Sequence, residues 1–419
     1  MPHFKRELDV IHRTNRILHP CARIVQLPEH HHLLFDACCN FTRWNTLLQL
    51  AENQGMGPLL HKHITTSRID IPPPFARSLR ILSLRHRQTN AILLSKLTCI
   101  LHLFKREGIP CLILKGAALC QILYPQPYLR PMRDIDLLLS ETDVYHAHDL
   151  LKKEGFVISN TPIPFDHFHL QPLYKKVDGL QICVELHHGL YAQAPPFNES
   201  PPFSILYRKA ISFDNGGIEA FTLNTAEMLS HLYHHGFRAP LTYEPYRLIS
   251  VADIVGLVEK EVNSLNWEKL QSQYPNLFNT LQYFHHITPW TKDVLEKIST
   301  KPGRVPTGVG ISFMGWPQIR LSDWRGKKRL TMLRLTFFPS QWWLRIYYSN
   351  ISRLPITHHQ LLYHWRQLFW WAKLYWFVFC EENLHNAAKK HQNQEGSLLL
   401  SLEKVKVLTI AIIRKFRGN

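Results

Sequence analysis

The sequence has no CxxC pair, no long uncharged apolar run, and no apolar core in its opening stretch. Its eight cysteines are scattered at Cys21, Cys38, Cys39, Cys99, Cys111, Cys120, Cys183 and Cys380. Several sit inside apolar runs, where a thiol behaves as a small hydrophobe. That argues for a reducing compartment and against a thiolate zinc site. A membrane span needs about 18 consecutive apolar residues, so none is expected. The opening MPHFKRELDVIHRTNR is charged and lacks a signal-peptide core. A cytoplasmic location is expected, with a peripheral membrane contact left open. Acids are also scarce, 32 Asp and Glu against 49 Lys and Arg, which leaves a net charge of +17. This imbalance favours anionic partners: nucleotides, nucleic acid, acidic glycans or an anionic membrane surface. No recognised nucleic-acid-binding module accompanies the charge, so nucleic acid ranks low.

What is present is a chain of 419 residues, 45% hydrophobic and 19% charged, enough for two or three domains. Residues 1–27 are basic and weakly patterned, a tail or loose helix. From Pro28 to about Ile71 the spacing is helical, with Trp44, Leu47, Leu48 and Ala51 on one face. Gly55 and Gly57-Pro58 supply a stop and a restart. After Pro72-Pro73-Pro74 a long helix is predicted from about Phe75 to Arg106, ending at Gly108. Helical spacing returns at Thr225 to Gly236, Arg247 to about Val262, and Trp267 to Leu281. Gly303 to Gly315 reads as a loop; its GVGISFMG has no strand-to-helix frame for a dinucleotide fingerprint. The aromatic run WRQLFWWAKLYWFVF carries Arg366 and Lys373, and is too short and too charged to span. It suits a core helix better than an interfacial one. A basic amphipathic helix is predicted for about 398–417.

The most informative stretch is IPCLILKGAALCQILYPQPYLRPMRDIDLLL, Ile109 to Leu139. A buried strand at Cys111 to Leu114 breaks at Lys115-Gly116, a helix follows, and a proline-bearing loop leads to Asp134-Ile135-Asp136. Side chains alternate along a strand, so Asp134 and Asp136 share a face. A bare DxD has two readings, a solvated strand end or a cation site. The strand–KG–helix unit upstream moves the balance toward the cation. Downstream, LYKKV and LQICVELH flank Asp178-Gly179, a strong hairpin signal. The second arm carries Glu185 and His187 on one face. Asp134, Asp136 and Glu185 could then hold two Mg²⁺ ions, the arrangement that stabilises both oxygens of an in-line phosphoryl displacement. Gly116 lets backbone amides approach an anion at a helix start. Lys115 and Arg130 are the candidate triphosphate contacts, with His187 beside them.

LKG, the tyrosine–proline loop with Arg130, DIDLLL and the later VELHHGL together resemble an uncharacterised nucleotidyltransferase family of the DNA polymerase beta-like superfamily. WNTLLQLAENQGMGPLL, LSHLYHHG…RLISVADIVGL and FFPSQWWLRIYYS extend the resemblance over roughly residues 30 to 350. It implies an α+β fold, a mixed sheet with flanking helical regions. It implies a Mg²⁺-dependent enzyme using an NTP such as ATP as substrate. The acceptor stays open: a small molecule, glycan or protein. The resemblance implies a bacterial setting near surface polysaccharide or peptide natural-product biosynthesis. It matches Asp134 and Asp136 to the metal pair, Glu185 to the third carboxylate and Gly116 to the turn glycine. His235 and Asp253 match a downstream pattern of unassigned role. Where the wider superfamily carries Gly-Ser at the turn, this chain has Gly116-Ala117, without the hydroxyl. The expected organisation is a tail (1–27), a helical region (28–107), the catalytic domain (108–222), a helical domain (223–300) and a loop with a basic aromatic helical region (301–419). The alternative is a non-catalytic accessory protein of the same fold that binds nucleotide or a membrane surface.

Overall fold

The computed structural model describes residues 2–159, 168–191, 200–237, 247–298, 304–311, 313–319, 321–324, 329–348, 360–369 and 371–372. The basic N-terminal segment forms a helix, α1 (Pro2–Leu18), and its far end is no tail. Ile17, Leu18, Cys21 and Ala22 are fully buried in the main core. Arg23 is buried with them, and its guanidinium meets Glu259 at 2.5 Å and Pro289 O at 2.7 Å. Composition hid this, because a buried arginine cannot be told from a surface one until its partner, 236 positions away, is known.

Three helices follow, α2 (Pro28–Cys38), α3 (Trp44–Asn53) and α4 (Gly57–Thr66). Gly55, at φ +70°, ends α3 in the left-handed region, and the chain restarts at Gly57-Pro58 as the spacing predicts. The long helix α5 (Pro73–Arg106) buries Phe75, Leu79, Leu82, Leu93, Leu97, Ile100, Leu101 and Phe104 along one stripe. Gly108, at φ +67°, turns the chain out of it.

The sheet comes next. Its elements in chain order are β1 (Leu112–Ile113), α6 (Lys115–Ile122), β2 (Ile135–Leu138), α7 (Asp143–Lys153), β3 (Val157–Ile158), β4 (Leu173–Val177), β5 (Leu180–His187), α8 (Phe203–Arg208), β6 (Ile211–Asp214) and β7 (Glu219–Thr222). Among the described residues they form a seven-stranded mixed sheet in the order β3-β4-β5-β2-β1-β7-β6. β1 and β2 are antiparallel, while β2 pairs β5, and β1 pairs β7, in parallel. The β4–β5 hairpin turns at Asp178 and Gly179, both at positive φ (48° and 80°). That is the backbone an Asp-Gly turn favours between twisted strands. β6, β7 and α8 have no counterpart in the sequence reading. Each strand is only four residues long, and Asn215-Gly216-Gly217 between them was the available signal.

A helical region packs on this α+β body: α9 (Thr225–Phe237), α10 (Leu248–Lys260), α11 (Trp267–Gln273), α12 (Pro275–Phe284), α13 (Lys292–Lys297), α14 (Arg329–Phe337) and α15 (Gln341–Tyr347). Pro275 divides the single helix expected at 267–281 into two. No described helix is long and apolar enough to cross a membrane. The chain divides into two compact units, Met1–Leu361 and Leu362–Asn419. The described part of the second is helical. The aromatic run beyond 372 and the predicted helix at 398–417 lie outside the described residues.

Candidate active site

The site forms where β2 meets β5. In the parallel pair Asp136 stands directly opposite Glu185, and Leu138 opposite His187. One ligand atom each from Asp136, Glu185 and His187 lies within 4.8 Å of the others. His187 Nε2 donates to Asp136 Oδ1 at 3.0 Å and stands 3.7 Å from Glu185 Oε2. His169, bridged to His187 across the strand, has its Nε2 3.9 Å from the same Glu185 oxygen. Two carboxylates and an imidazole at this separation suit a divalent cation. Asp134 lies outside this trio, just before β2, and is half-buried.

Lys115 enters from the other side. It begins α6 directly after β1, at a left-handed φ of 43°. Leu114 N bonds Asp136 O at 3.0 Å, which fixes the turn against β2. Lys115 Nζ reaches Asp136 Oδ1 at 3.0 Å. The charges depend on one another. Burial alone would lower the Lys115 pKa, but Asp136, Asp134 and Glu185 outweigh it and hold the ammonium. Burial would raise Asp136, but Lys115 and the His187 hydrogen bond keep it well below the usual carboxylate range. Burial likewise opposes charge on His187, and its hydrogen bond to Asp136 with the Glu185 carboxylate nearby raises its pKa. Asp134 is pushed up to about 6, first by burial and then by Asp136.

Arg130 does not join the trio. Its guanidinium turns to Asp253 on α10, with Nη2 2.8 Å from Oδ2 and Nε 3.2 Å from the same oxygen. Tyr124 OH donates to the other Asp253 oxygen at 2.7 Å. The side chains are 12% and 0% exposed, so this is a buried ion pair. Arg130 packs under the turn: a Cβ on Gly116 would lie 2.3 Å from Arg130 Nη1. Glycine at 116 is therefore required by a close approach from within the protein. Arg130, expected on the triphosphate, is bonded to Asp253 and lies against that turn, and the same contact accounts for Asp253.

Sequence reasoning missed Asn90. From the apolar stripe of α5 its amide donates to Pro127 O at 2.8 Å and Arg130 O at 2.9 Å, and accepts from Met132 N at 3.2 Å. It pins the loop that delivers β2. A polar residue on an apolar face was the available signal. His231 and His235, four apart on α9, also went unassigned as a pair. His231 is fully buried, and neither ring nitrogen has a hydrogen-bond partner among the described residues. Burial and then Lys115 hold its pKa well below the ordinary value. His235 is solvent-accessible, and Lys115 is the chief cause of its lowered pKa. Both histidines therefore lie within range of the site's charges.

The glycine turn, the paired acids and the supporting arginine all fall within residues 41–288, which match the family described as uncharacterised nucleotidyltransferase. The chain belongs to that family. No curated protein matches the sequence. Among solved structures, the antibiotic-resistance factor ANT(2'')-Ia is 12% identical, over 47% of this chain and 98% of its own, with a TM-score of 0.31. An antigenic nucleotidyltransferase-like protein from Paracoccidioides brasiliensis is 17% identical, over 50% and 96%, with a TM-score of 0.29.

Proposed function

We propose that this member of the family is a Mg²⁺-dependent nucleotidyltransferase that moves a nucleoside monophosphate from an NTP to an acceptor. The observation that carries this reading is the register of β2 against β5, which sets Asp136 beside Glu185, with Lys115 Nζ 3.0 Å from Asp136 Oδ1. The acceptor's oxygen attacks the α-phosphorus and loses its proton. The bond from that phosphorus to the bridging oxygen breaks, and pyrophosphate leaves. A bound divalent metal supplies charge neutralisation for the attacking and leaving oxygens. Asp136 and Glu185 would hold it, with Asp134 beside them; the pair of ions first expected is part of this proposal. Lys115 offers a buried positive charge to the triphosphate, and the start of α6 offers backbone N–H groups.

The test is transfer of label from α-labelled NTPs, with Mg²⁺, onto small-molecule, glycan and protein acceptors, read by intact mass. Asp136→Asn with Glu185→Gln should lower transfer by about 10³-fold or more. Undiminished nucleotide binding and transfer in that variant would sink the reading. The family resemblance supports a search near surface polysaccharide or peptide natural-product biosynthesis first. The charge of +17 supports a peripheral contact with anionic membranes. Failure to sediment with anionic vesicles at low salt removes that contact.

A further inference from the structure

Lys115 does more than line the site. Its ammonium and the His187 ring both bond Asp136 Oδ1, each at 3.0 Å. That oxygen is thus held by two donors belonging to the protein, and both side chains are buried. Asp134 and Glu185 also act on Lys115 with the sign that holds its charge. The ammonium lies against a carboxylate of the proposed cation site, 3.0 Å from Asp136 Oδ1, and like charges repel.

The backbone makes this placement durable. A lysine at φ 43° is in a region that residues with a Cβ seldom occupy. Such strain persists only where the surroundings impose it. Here they do so from both sides. Leu114 is bonded to Asp136 O, and Gly116 lies against Arg130, which Asp253 holds. The main chain at 115 is fixed, while the four-carbon side chain can swing without moving it.

We infer that Lys115 is a placeholder cation. It neutralises Asp136, Asp134 and Glu185 before ligands arrive and weakens the binding of a free divalent ion. It yields when metal arrives with a triphosphate, whose negative charge receives the displaced ammonium. Metal and nucleotide therefore bind with positive coupling, and Lys115 is the positioning residue that creates it. This rests on the nucleotidyltransferase reading above.

The experiment uses the full chain, Mn²⁺ as the probe metal and a non-hydrolysable NTP analogue. Calorimetry and Mn²⁺ paramagnetic resonance give affinity without turnover. In the wild-type protein the analogue should tighten Mn²⁺ binding by about tenfold or more. Lys115→Met, which keeps the stem and removes the charge, should bind Mn²⁺ alone about tenfold more tightly and lose most of the coupling. Lys115→Arg, which keeps the charge, should still bind free Mn²⁺ weakly, and it serves if the methionine variant does not fold. Unchanged or weaker Mn²⁺ binding in Lys115→Met overturns the inference, since a purely structural lysine predicts that result. So does a wild-type protein that binds Mn²⁺ equally well with and without the analogue. If the wild type binds both ligands but the coupling is absent, only the placeholder fails. If it binds neither, the nucleotidyltransferase reading fails with it.

Discussion

Replacing Asp253 with alanine leaves the Arg130 guanidinium buried beneath the glycine turn without its counter-charge. Arg130 loses three contacts, at 2.8, 3.2 and 3.3 Å, and Tyr124 OH loses its acceptor at 2.7 Å. Asp253 is fully buried, so water does not easily replace it. Breaking a buried pair from one side costs about 3–5 kcal/mol, and an orphaned hydroxyl adds about 1–3. The two overlap, so a loss of about 4 kcal/mol or more is expected, a large part of an ordinary domain's stability. Urea unfolding followed by tryptophan fluorescence measures it. The control is the double variant Arg130→Met with Asp253→Ala, with Arg130→Met alone completing the cycle. The double variant removes both charges together and should regain most of the loss, because the uncompensated charge is the main penalty. A loss under about 1 kcal/mol for Asp253→Ala, or additive effects in the cycle, would refute this account of Arg130.

Gly116→Ala should cost about 1–3 kcal/mol and weaken nucleotide binding, since its Cβ would fall 2.3 Å from Arg130 Nη1; thermal melting with and without nucleotide checks both. Asn90→Ala leaves two carbonyls and the Met132 N–H without their partner, so a loss of about 2–3 kcal/mol is expected in the same urea assay. Asp134 titrates near 6 rather than at its ordinary 3.8, so its charged form opposes folding. The stability it confers is present below the ordinary value and is lost as pH rises to about 6. On the proposal that Asp134 stands beside the bound cation, its charged form favours the ion, so Mn²⁺ affinity should climb as pH passes upward through about 6 and then level off. A flat calorimetric profile across that window would contradict the shift.

The two arms of the β4–β5 hairpin, the long helix α5 and the KG turn were legible because each rests on local chemistry. Asp178-Gly179 demands positive φ, three prolines start α5, and a glycine interrupts an apolar run. The burial of residues 17–24 was not legible, because it depends on Glu259 and Pro289 far along the chain. Arg130 shows the same limit in the site itself. Its sequence position beside DID suggested phosphate, and only the arrival of α10 reveals Asp253 as its partner. Glu185 was legible as a third acid on a strand, but its register against Asp136 depends on how two distant strands align.

That alignment has a consequence for how the protein is made. β5 reaches β2 only after α7, β3 and β4 have been laid down between them. Contacts of such long sequence separation form late, after the entropy of closing the intervening loop has been overcome. A chain still on the ribosome with only β1 and β2 emerged has Lys115 and Asp136, but neither Glu185 nor His187 to complete the trio. The paired-carboxylate site therefore comes into being with the closure of the sheet. A nascent fragment has no means of assembling it early.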